Sequence, residues 1–164
     1  MKRRWMVGSI GIAAPLLLIG VLWSGNCASG VENEPLTGPA KSVLESYEGI
    51  QKALAGDSTT GISEGAAAIA KAIRDDTDKS FPLTIAEEAD RLTEARDLHA
   101  ARRAFKPLSA SLIAWLEEHK VESSGYQEAY CPMAEANWLQ KEAEINNPYL
   151  GKKMLNCGEF DRKF

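Results

Sequence analysis

Histidine and cysteine are scarce in this chain, with two of the first and three of the second among 164 residues. No Cys-x-x-Cys pair occurs, so neither haem attachment nor a redox motif of that spacing is encoded. No glycine-rich phosphate loop is present. His99 and His119 have no nucleophile at a useful spacing, and hydrolase chemistry has nothing to stand on. The expectation is a protein that is not an enzyme. Internal repeats and low-complexity tracts are also missing.

The one long uncharged stretch, Trp5 to Trp23, follows Lys2, Arg3 and Arg4. A positive start, an apolar run and then small and polar residues near Ser24 to Gly30 read as an export signal. An uncleaved membrane anchor is the alternative, since the run is marginally long enough to span a bilayer. Cys27 invites acylation, although Ser24 and Asn26 stand where a lipoprotein signal usually has leucine and glycine or alanine. The domain plan is therefore a signal peptide or anchor over 1–29, a linker over 30–39 and one domain over 40–164. The expected compartment is the periplasm, with anchoring by the N-terminal segment as the variant.

Removing Lys2, Arg3 and Arg4 from a chain with 19 basic and 23 acidic residues leaves a net charge of −7. A domain of that sign is poorly suited to nucleic acid or to an anionic membrane surface. Most of the acidity serves solubility, and it is compatible with weak steering of cations.

Four amphipathic segments fill the first two thirds of the domain. Val43, Tyr47, Ile50 and Leu54 form one stripe, stopped by Gly56. Ile62, Ala66, Ile69 and Ile73 form a second, with Asp57 or Ser58 as its cap. A third carries Ile85, Ala89 and Leu92 and starts near Thr84, where Glu87 completes a capping-box pattern. The fourth runs from about Asp97 to His119 through Leu98, Ala101, Phe105, Leu108, Leu112 and Trp115, and Pro107 should kink or divide it. The expected fold is all-α: an up-down bundle of about four helices with an irregular C-terminal segment.

That C-terminal segment holds the unusual chemistry. Gly125 to Cys131 reads as extended chain leading into Pro132, Trp138 and Leu139 as a short apolar anchor, and Asn147-Pro148 as a helix start ended by Gly158. Cys131 and Met133 are two apart, which on a strand puts both on one face. Met154 and Cys157 are three apart, which on a helical turn makes them neighbours. Two such halves facing each other form a sulfur-only pocket, and soft sulfur donors select Cu(I) over hard cations. The competing fate of Cys131 and Cys157 in an exported protein is a disulfide, worth roughly 3 kcal/mol on the chain-entropy model. Interchange between the two states is a third course. Trp138 could shield a bound ion, though burial of an aromatic anchor explains it as well. His99 is read as solvated, and His119 as a partner of the helix dipole.

Several segments carry a family likeness: Arg103-Ala104-Phe105-Lys106-Pro107-Leu108-Ser109, Tyr130-Cys131-Pro132-Met133-Ala134, Trp138-Leu139, and the run from Ile145 to Glu159. In that order they resemble the bacterial family catalogued as domain of unknown function 3347. Its members are exported proteins or domains attached to periplasmic adaptor subunits of copper and silver efflux pumps. The likeness extends from about Ala40 to Glu159 and is most specific in the last forty or so residues. It implies periplasmic heavy-metal handling, with Cu(I), or alternatively Ag(I), held by Cys131, Met133, Met154 and Cys157. It also implies a periplasmic efflux adaptor or a metal chaperone as partner.

Overall fold

The computed structural model describes residues 36–164 apart from residue 123. The export signal or anchor, Cys27 and most of the linker lie outside the described residues. Among the described residues no helix is long and apolar enough to cross a membrane.

Four helices come first: α1 (Gly38–Ala55), α2 (Ile62–Asp75), α3 (Leu83–Thr93) and α4 (Leu98–Glu118). Their apolar stripes are the ones the sequence spacing marks. Val43, Tyr47, Ile50, Leu54, Ile69, Ile85, Leu92, Phe105, Leu108 and Leu112 are all essentially inaccessible. Consecutive helices pack on one another, while α1 and α4 meet only slightly, because a strand lies against both.

Local punctuation differs from expectation in three places. Gly61, with φ at +79°, begins α2, and no side chain caps it. Asp57 and Ser58 are occupied elsewhere, Asp57 with Arg102 and with the Lys152 N–H. α3 starts after Pro82 without a side-chain cap, so the Thr84–Glu87 box is not made. α4 continues unbroken through Pro107, and Asp97 caps it by accepting the Ala100 N–H at 2.7 Å.

The all-α expectation is wrong. After α4 the chain forms β1 (Gln127–Cys131), β2 (Ala136–Gln140), a single 3-10 turn (Gly151–Lys153) and β3 (Glu159–Lys163). The strands make one antiparallel sheet in the order β2-β1-β3, with Cys131 opposite Ala136 and Tyr130 opposite Glu159. The period-2 signal is absent for a physical reason. Trp138, Leu139 and Gln140 are all buried, so β2 does not alternate, and every residue of β3 is exposed. The sheet exists through pairing, not through local pattern.

Sheet and helices are joined by polar groups inside the core. Tyr47 on α1 stacks on Phe105 of α4 at 4.9 Å, and its hydroxyl sits 2.8 Å from Ser109 Oγ. The same hydroxyl accepts the Leu139 N–H of β2 at 3.1 Å. Burial pushes the Tyr47 phenol well above its ordinary value, so it stays a neutral hydrogen-bonding group. The buried Gln140 amide accepts from Trp138 Nε1 and from the Asn146 N–H, and donates to the carbonyls of Glu142 and Glu144. One side chain thereby sets the course of the loop that follows β2.

Candidate functional site

β1 ends in Cys131, and Pro132, Met133, Ala134 and Glu135 form the turn into β2. Proline suits the turn because it needs no ladder hydrogen bond there. Glu135 closes the turn with φ at +48°. Lys106 on α4 donates to the Ala134 carbonyl at 2.5 Å, which ties the turn to the bundle.

The second half of the site is held by the segment between Asn147 and Gly158. Asn147 is fully buried. Its Oδ1 accepts the N–H groups of Tyr149 and Leu150 at 2.8 and 3.0 Å, and its Nδ2 donates to the Cys157 carbonyl at 2.6 Å. The helix start expected at Asn147-Pro148 is therefore not made: Asn147 closes a local turn on Tyr149 and Leu150, and the 3-10 turn that follows has no side-chain cap. Arg102 anchors the same segment, donating to the carbonyls of Pro148 and Leu54 and pairing with Asp57 at 2.5 Å. Gly151 packs directly on that ion pair with φ at +58°, where any Cβ would overlap it.

Gly158 completes the approach. Its φ is +140°, and a Cβ there would lie 2.8 Å from both the Trp138 ring and the Tyr130 carbonyl oxygen. Only glycine lets the chain after Cys157 run this close to β1 and β2. Trp138 is buried and packs edge-on to Tyr149. It abuts the backbone beside Cys157 and serves as a packing residue.

As a result Cys131 and Cys157, both free thiols, place their sulfurs 3.2 Å apart. Cys131 is completely buried and Cys157 partly exposed. Burial by itself would push the Cys131 thiol up. Hydrogen bonds from Cys157, the Ala134 N–H, the Asn147 side chain and the Met133 N–H outweigh it and hold Cys131 below the ordinary thiol value. Cys157 is pushed up, first because its hydrogen bond to Cys131 keeps its proton. The two thiols are therefore unequal, Cys131 being the readier of the two to ionise.

No family model, curated protein or solved structure matches this chain.

The two methionines are placed differently from the two cysteines. Met133 lies in the hairpin turn, not on the strand, and its side chain is 63% exposed. Met154 is 37% exposed, and its carbonyl accepts the Cys157 N–H at 3.0 Å, so the two residues are joined by a tight turn and not by the helical turn expected. Both methionines are exposed, whereas the inner cysteine of the pair is buried. Among the described residues no group of three or more His, Cys, Asp and Glu side chains could hold a metal ion. His99 is exposed in the first turn of α4, and His119 Nδ1 bonds the Trp115 carbonyl at 2.9 Å. An ion at this site would depend on sulfur.

Metal–sulfur bonds of about 2.3 Å put two sulfurs of a tetrahedral site about 3.8 Å apart. The 3.2 Å pair must therefore open slightly to admit an ion. A side-chain rotation at the partly exposed Cys157 supplies that without disturbing β1. The donor chemistry fits a soft cation. Asn147 and Gly158 bring the sulfurs together, a role that local sequence does not mark. The Asn-Pro and Cys-Gly dipeptides are visible in the sequence, where each reads as helix punctuation.

Proposed function

We propose that this protein binds a soft monovalent cation, Cu(I) or Ag(I), in the periplasm and exchanges it with a partner, without turnover. The observation that carries the reading is the meeting of Cys131 and Cys157 at 3.2 Å, with Cys131 buried and Cys157 partly exposed. Cys131 and Cys157 hold the ion as thiolates, and Met133 and Met154 approach from the exposed rim as neutral donors. Neutral donors weaken the grip and favour hand-off. The resemblance of the C-terminal motifs to domain of unknown function 3347 supports the same reading and makes a periplasmic efflux adaptor or a metal chaperone the expected partner. The leader supports export, or anchoring at the membrane face.

The test is titration of the reduced protein with Cu(I) against a chromophoric chelator without oxygen. One equivalent bound tightly by the wild type, and none by Cys131→Ser or Cys157→Ser, is the expected result. Wild-type affinity in both variants would move the ion elsewhere.

The sulfur separation favours a second reading. At 3.2 Å the pair is nearer than a bound ion sets it, and a disulfide closes it further to about 2.05 Å. The bridge would pin the tail to β1 in a structural or interaction module with no metal. Thiol labelling of protein taken from its native compartment without reductant separates the two: unmodified Cys131 and Cys157 favour the bridge.

A further inference from the structure

The two sulfurs are unequal in access, and that inequality gives the pair a direction. Cys131 is sealed on β1 at 0% exposure, beneath the hairpin turn. Cys157 is partly exposed, on a turn that reaches the surface through Met154. Exposure therefore favours attack by an external sulfur at Cys157 over the buried Cys131. The Asn147 side chain holds the Cys157 carbonyl at 2.6 Å and so fixes the outer cysteine against the inner one.

We propose that Cys157 is the sulfur at which this pair exchanges with an external small thiol or disulfide, while Cys131 is the sulfur that leaves or closes the bridge, so that exchange opens and shuts the ion site. In the opening direction an external thiolate attacks Cys157 Sγ. The bond to Cys131 breaks, and its electron pair departs on Cys131 Sγ, which then takes up a proton. A second external thiolate attacks the external sulfur of the mixed disulfide, and Cys157 leaves and takes up a proton. Two external thiols have become one disulfide, and the bridge has become two protein thiols. Closing runs through the same mixed disulfide in reverse. The ion half of the proposal rests on the metal-binding reading above; the order of exchange does not.

The full chain carrying Cys27→Ser, reduced and free of metal, is treated with oxidised glutathione and followed by mass spectrometry. It should end two hydrogens lighter with no lasting adduct. Adding Cys131→Ser should leave one glutathione trapped on Cys157. Adding Cys157→Ser should slow modification at least tenfold, and the gap should vanish in urea, where access no longer differs. Equal rates in the two folded variants, or faster reaction at Cys131, overturn the order of exchange. Cys131→Ala and Cys157→Ala repeat the comparison, with unfolding midpoints confirming that each is folded. The bridged parent should then lose at least a hundredfold in competition for Cu(I) and regain it with reductant. Unchanged competition would overturn the ion half and the metal-binding reading with it, leaving the exchange order standing.

Discussion

The Asn147 side chain donates to the main-chain carbonyl of Cys157 at 2.6 Å, across ten residues of chain. It thereby bends the tail back on itself, and together with its hold on Tyr149 and Leu150 it presents Cys157 to Cys131. A buried amide with three satisfied bonds costs little in place and a great deal when removed, because its partners cannot reach water.

Asn147→Ala should therefore lower stability by about 3 kcal/mol, from several stranded buried groups at once. Urea unfolding monitored by tryptophan fluorescence measures it. A loss below about 0.5 kcal/mol, typical of an indifferent surface site, would show that the tail is held by something else.

Gly158→Ala tests the approach of the two halves. Alanine at this φ is strained, and its Cβ would press on the Trp138 ring and the Tyr130 carbonyl. The strain alone costs about 1–3 kcal/mol. The Cys131–Cys157 bridge should form more slowly than in the wild type under the same oxidant. Unchanged bridge formation would mean that the sulfurs meet without this contact.

The methionines should matter less than the cysteines. With both residues exposed, Met133→Leu and Met154→Leu each keep volume and apolarity while removing a sulfur donor. Each should weaken Cu(I) affinity roughly tenfold, about 1.4 kcal/mol, and leave the unfolding midpoint nearly unchanged. Abolished binding in either would make the thioether an obligatory ligand.

Asp57 gives an acid-limb prediction. The Arg102 hydrogen bond, aided by the Lys152 N–H, holds its carboxyl below the ordinary 3.8. A carboxyl depressed in the folded state contributes stability at pH above its unfolded value and loses it as pH falls through the folded one. Stability should thus drop on acidification below about pH 4, and Asp57→Asn should flatten that limb while lowering stability at neutral pH. An unaltered acid limb would mean that the pair is not coupled to folding.

Much of the helical part is legible in the sequence, because a helix writes its period into neighbouring residues. Val43, Tyr47, Ile50 and Leu54 announce a buried face without reference to anything else in the chain. Caps were less legible: Asp57 looks like a helix cap, yet a stronger partner, Arg102, lies 45 residues away. Pro107 looks like a break, yet it sits exposed within an uninterrupted α4.

Sequence alone determined the four amphipathic stripes, the acidity of the domain and the placement of two Cys–Met pairs near the C-terminus. Each is a property of composition or of residues within a few positions of one another. Only the tertiary structure decided that β1, β2 and β3 form a sheet, that Cys131 and Cys157 meet across 26 residues, and that Met133 and Met154 stay at the surface. Those outcomes depend on long-range pairing and on which face of a strand finds cover. A fully exposed strand such as β3 carries no local trace of the partner that makes it one.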